Sequence, residues 1–226
     1  MATLIETLTQ CVTAAGGLGA ASFALVDATK AVGGGISNAG FGHIERVLEG
    51  YFDGVEHRSE QLPLGWPQIR ATLRANWLNG TALNDQKAIA KSLLKLRLTP
   101  ANAALCAERT QVDAPVLTRV ANKIASGGAM TDEENDVWGR FDLMLTAQLD
   151  QGYQRADQAY RNYAKGLSMV VSVALALIGQ ASYPDAFHSY QVALLVGLAA
   201  TPVAPIAKDL TTALAATAKV FQSMRR

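Results

Sequence analysis

The side chains able to do chemistry are few and scattered. His43, His57 and His188 lie far apart, and Cys11 and Cys106 sit outside any C-x-x-C spacing. None forms a nucleophile–base pair, an H-E-x-x-H zinc helix or a G-x-S-x-G elbow by sequence context. The cysteine spacing also argues against a disulfide framework or a structural zinc site. Asp142 and Asp150 have the right type for general acid and base. With 19 acidic residues in the chain, that pairing is unspecific. Gly33-Gly34-Gly35 lacks the preceding strand and following Lys-Ser/Thr of a phosphate-binding loop, and reads instead as a flexible break. The chain therefore reads as non-enzymatic, with no cofactor and no metal.

Other patterns suit assembly better than catalysis. Glu45, Glu49, Asp53, Glu56 and Glu60 fall on one face of a helix, as do Lys87, Lys91 and Lys95. An all-carboxylate row on one helix does not surround an ion, so the acidic stripe is a poor metal site. Complementary stripes are able to join helices or subunits, and a basic stripe near a membrane also attracts anionic lipid headgroups at about 1 kcal/mol per residue. In the N-terminal run, Ala15 with Gly19 and Gly16 with Ala20 form small-xxx-small pairs that let helix backbones approach closely. Asp27 and Lys30 follow, three residues apart. At membrane depth such charges mark an ion pathway, whereas at the interface they form an ordinary snorkelling pair.

The elements that must carry these residues are apolar and long. Gly166 to Ala207 contains one formal charge, Asp185, within the break Ser182-Tyr183-Pro184-Asp185. The flanking runs, 166–184 and 186–207, each approach the roughly 20 residues needed to cross a bilayer as helix. Thr7 to Val26 is a third, weaker candidate. Because Met1 to Gln10 has no Lys or Arg, it lacks a secretory n-region, and the run is expected as a retained membrane helix. Lys208, Lys219, Arg225 and Arg226 follow the last run, and the 182–190 connection has no basic residue. The expected orientation in a cell (inner) membrane therefore puts the N-terminus and that turn outside, with the central domain and C-terminus cytoplasmic.

Half of the 226 residues are hydrophobic and 17% are charged, with a net charge of +1. This balance excludes a strongly basic nucleic-acid surface. The middle of the chain shows helical periodicity without strand-like alternation. Helices are expected from Ile44 to Val55, from Pro67 to Gly80, after an Asn84 cap, after Thr99-Pro100, and from Asp113 to Gly127. Thr131 and Glu134 read as a capping box opening a helix that continues toward Pro184, with Gly139, Gly152 and Gly166 as its weak points.

The resulting expectation is an all-α, multipass protein with about three transmembrane helices. Its parts are a glycine-rich transmembrane segment and linker (1–40), a cytoplasmic helical domain (41–130), a stalk helix (131–165), a transmembrane hairpin (166–207) and a C-terminal amphipathic helix (208–226). The function expected is self-assembly into a homo-oligomer or anchoring of a partner. The alternative is an oligomeric channel for ions or small solutes, with Asp27, Lys30, Pro202 and Pro205 as pore or kink residues.

Overall fold

The computed structural model describes residues 2–52, 65–184, 187 and 189–202, with burial described from residue 12 onward. All regular structure among these residues is helical. The helices are α1 (Ala2–Ala28), α2 (Phe41–Glu49), α3 (Trp66–Leu78), α4 (Leu83–Leu96), α5 (Ala103–Thr110), α6 (Ala114–Ser126), α7 (Asp132–Ser182) and α8 (Tyr190–Pro202). The chain divides into two compact units. Unit 1 combines Met1–Ile36 with Arg161–Arg226, and unit 2 is Ser37–Tyr160.

Unit 2 is a helical bundle organised around the first part of α7. Phe141, Leu145, Leu149, Tyr153 and Ala156 recur along one face of that helix and are all at least 98% buried. Ile44 and Leu48 of α2, Ile69 and Leu73 of α3, and Leu117 and Ala121 of α6 belong to the same core. This corrects the expected division between a domain ending at 130 and a separate stalk. An apolar stripe that wide is stable only when covered, so the segment becomes the bundle's central helix.

Gly152 is likewise no bend. A Cβ there would lie 3.0 Å from Val47 Cγ2, and a Cβ on Gly40 would run into the Ala156 carbonyl. Small residues on α7 thus admit the start of α2, and Gly40 meets them with a φ of 95°. Gly139 and Gly166 have open space where a side chain would be.

Several helix ends follow local chemistry. Pro67 sits in the first turn of α3, and the Asp113 carboxylate accepts a hydrogen bond from Val116 N at 2.8 Å to cap α6. Gly127, with φ 74°, ends α6 in the left-handed conformation. The capping box of α7 is reciprocal: Thr131 N donates to Glu134 Oε2 at 2.7 Å, and Glu134 N donates to Thr131 Oγ1 at 3.4 Å.

Elsewhere the expected punctuation shifts. Ala82, not Asn84, precedes α4. After Thr99-Pro100 the chain makes a turn in which Thr99 N donates to Asn102 Oδ1 at 2.7 Å, and α5 starts only at Ala103. The helix opening at Phe41 stops at Glu49; Val55 lies outside the described residues.

In unit 1, α1 tightens into a 3-10 turn at Thr29–Ala31, and Gly33, Gly34 and Gly35 then take φ values of 59°, 90° and 41°. Gly34 N donates to Lys30 O at 3.2 Å, and Ile36 N donates to Thr29 Oγ1 at 3.1 Å. The glycines therefore form a hydrogen-bonded left-handed turn, not the flexible break expected of them.

The connection between α7 and α8 is held by Gln180. Its Nε2 donates to Pro184 O at 2.8 Å, and its Oε1 accepts from Phe187 N at 3.1 Å. Two of the described helices contain a stretch long and apolar enough to cross a membrane, Val12–Ala31 and the stretch within Asp132–Ser182; Tyr190–Pro202 is apolar but shorter. The expected tail helix at 208–226 lies outside the described residues.

Candidate functional site

Within unit 2, the lysines of α4 meet the polar edge of α7. Lys87 Nζ is 2.7 Å from Asp150 Oδ1, Lys91 Nζ 3.1 Å from Asp142 Oδ2, and Lys95 Nζ 2.8 Å from Asp142 Oδ1. Lys91 also donates to Thr146 Oγ1 at 3.3 Å. Positions rising by four on α4 face positions falling by four on α7, as antiparallel helices require. The basic stripe therefore joins helices of one chain, and its partners are Asp142 and Asp150 instead of the acidic stripe.

These charges are only partly covered, so each pair contributes modestly. Hydrogen bonds from Lys95 and then Lys91 hold the Asp142 carboxyl below its ordinary range despite partial burial. Lys95 also stands 4.4 Å from the Trp138 ring centroid, a cation–π contact on a ring stacked against Phe141. Asp142 and Asp150 are thus both ion-pair acceptors across the α4–α7 interface.

A second charged cluster closes the α6–α7 corner. Glu134 is 2% exposed and accepts from Lys123 Nζ at 2.5 Å and from Thr131 N at 2.7 Å. Chiefly the Lys123 hydrogen bond, then the Thr131 backbone bond, pull its carboxyl from 4.5 down to about 2. The folded-state value is depressed, so its stabilising contribution is complete above pH 4.5 and fades as pH falls toward about 2. We expect Glu134→Gln to flatten the acid side of the stability profile in that window. An unchanged slope in an acid titration followed by tryptophan fluorescence would show that the cluster carries no net linkage.

Of the acidic stripe, Glu45 pairs with Arg70, Glu49 is exposed, and Glu56 lies outside the described residues. Cys106 is buried, and burial pushes its thiol up to about 11, which leaves it unreactive at neutral pH. Among the described residues, no three His, Cys, Asp or Glu side chains gather to hold a metal.

Unit 1 is packed through small and polar residues. Ala15, Gly16, Gly19 and Ser22 of α1 are buried, while Ala20 is exposed. Ser172 of α7 donates to Ser22 Oγ at 2.7 Å, and Ser22 donates in turn to Leu18 O at 2.8 Å. Ser168, Ala176, Ala193 and Ala200 are each at least 99% buried. A Cβ on Gly197 would lie 2.7 Å from Val173 Cα, so α7 and α8 touch almost backbone to backbone. Asp27 and Lys30 form an ion pair at the end of α1, with Asp27 66% exposed. Pro202 is exposed at the end of α8, and Pro205 lies outside the described residues.

Ser168, Ser172, Ala176 and Gly197 of the seam are not singled out by the sequence reading. Their signal is present, since Ser168, Ser172, Ala176 and Gln180 recur every four residues within an otherwise apolar run. Comparison with protein-family models, with curated proteins and with solved structures returned no match.

Proposed function

We propose that this chain is a non-enzymatic, multipass membrane protein that self-assembles or anchors a partner, with unit 1 in the bilayer. The carrying observation is the inverted packing of unit 1. Its seam holds Ser, Ala and Gly, whereas Val170, Ile178 and Leu195 are 65%, 61% and 65% exposed. Water would penalise that surface, while lipid tails do not, and small interior residues allow the close van der Waals packing on which helix association in lipid depends. A core helix of a soluble protein would be covered. Only 28% of the apolar window in α1 and 22% of that in α7 are buried within the chain.

In this reading α8 belongs to the third span, the N-terminus lies outside, and unit 2 and the C-terminus lie on the cytoplasmic side. The outward face of α1 supports self-assembly. Gly17, Ala20, Ala21 and Ala24 are exposed there beside Leu25, which is 51% exposed, so small residues make up more of this face than of the Leu-, Val- and Ile-rich faces of α7 and α8. Binding of anionic headgroups by Lys87, Lys91 and Lys95 would have to compete with their carboxylate partners. The channel reading gains no support from Asp27, which is paired with Lys30.

The test is an alkaline carbonate wash of membranes, followed by mass measurement of the particle in mild detergent. The protein should remain in the pellet and then run as an oligomer. Release by the wash would overturn the membrane assignment, and a strict monomer over a wide concentration range would remove self-assembly and leave anchoring.

A further inference from the structure

Two hydroxyl groups in the unit 1 seam are not satisfied by its packing. Ser168 on α7 is 0% exposed and Thr201 on α8 is 7% exposed. Neither Ser168 Oγ nor Thr201 Oγ1 has a hydrogen-bond partner among the described residues. One turn further along α7 the chemistry differs, because Ser172, Ser22 and Leu18 form a closed chain of hydrogen bonds.

The register brings the two hydroxyls to the same level. Gly197 abuts Val173 and the Ser172 carbonyl across the hairpin. Moving about one turn back along α7 and one turn forward along α8 reaches Ser168 and Thr201 together. Two hydroxyls fall within the roughly two to four partners that a buried water uses. A dry seam would leave both hydroxyls desolvated and unpaired, an arrangement that proteins rarely keep. The exposed Lys165 stands three residues before Ser168, so the aqueous boundary is only about 4.5 Å away along the helix axis.

We propose that Ser168 and Thr201 form a hydrated site, in which ordered water enters the seam between α7 and α8 from the Lys165 end and stops at the Ser22–Ser172 pair. The inference rests on the membrane reading of unit 1. It assigns to this seam a polar crevice one turn from the close packing of Gly197 on Val173.

The test is the reaction of single cysteines with a charged methanethiosulfonate reagent, which needs water to reach and ionise the thiol. Cys11→Ala removes one native thiol, and buried Cys106 stays as an unreactive background. In open membrane fragments of the full-length protein, Ser168→Cys and Thr201→Cys should react at least about tenfold faster than lipid-facing Leu195→Cys. The serine variant exchanges a single oxygen for sulfur and keeps the packing. If both seam cysteines are as slow as Leu195→Cys, the hydrated site is wrong while the membrane reading stands. Fast reaction at only one of the two also overturns it, because the site requires both at one water level. Fast reaction at Leu195→Cys would instead overturn the membrane reading itself.

Discussion

Replacing Phe141 with alanine should lower the unfolding free energy of unit 2 by about 3–5 kcal/mol, the usual cost of removing a fully buried aromatic side chain. Phe141 is 1% exposed, stacks on Trp138 with ring centroids 5.4 Å apart, and heads the α7 stripe that every other helix of the bundle core surrounds. Truncation removes both the transferred apolar area and the ring contact, and the neighbouring helices cannot close the gap without moving. The readout is convenient. All three tryptophans, Trp66, Trp77 and Trp138, belong to unit 2, so a urea titration of the full chain followed by tryptophan fluorescence reports that unit alone. A loss below about 1 kcal/mol, the scale of an ordinary surface change, would mean that the Asp132–Tyr160 portion of α7 is not the core helix.

The second large effect is expected at Gly40. Alanine there is strained in two ways. The φ of 95° is disfavoured for any L side chain, and the added Cβ would meet the Ala156 carbonyl, a rigid piece of helix backbone. The expected cost is at least about 2 kcal/mol. Gly139→Ala provides the matched comparison, because that glycine lies inside α7 with nothing within 4 Å of a new methyl group. It should gain about 0.5–1 kcal/mol from the lower helix propensity of glycine. Equal and small effects at the two positions would refute the close approach of α2 to α7.

The contrast among the glycines of α7 shows where sequence reasoning stops. Gly139, Gly152 and Gly166 are equivalent as local helix formers, and each reads as a weak point. In the fold only Gly152 packs against another helix, beside Val47. That difference depends on which helix comes near, a matter of long-range packing that no local pattern contains. The lysine stripe gives the same lesson. Its spacing shows that Lys87, Lys91 and Lys95 share a face, but the choice of Asp142 and Asp150 over Glu45 and Glu49 follows from the antiparallel placement of α4 on α7.

Local chemistry, by contrast, was legible. The Asp113 cap, the Gly127 terminator, the Pro67 start and the Thr131–Glu134 capping box depend on residues within one turn of each other, so their types and spacing suffice to predict them. The misplaced start of α5 has the same kind of cause on a finer scale: the Asn102 side chain accepts from Thr99 N and stabilises a turn in place of a first helical turn.

By itself the sequence determined the all-helical class, the ends of several helices and the apolar stretches in α1 and α7, because each follows from periodicity, capping or composition over short range. Only the tertiary structure decided that the supposed stalk is the bundle's central helix, that the basic stripe is consumed within the chain, and that a buried seam of serines, alanines and glycines underlies the apolar exterior of unit 1. Those outcomes depend on which faces meet, and a face is assigned its partner only when the whole chain has packed.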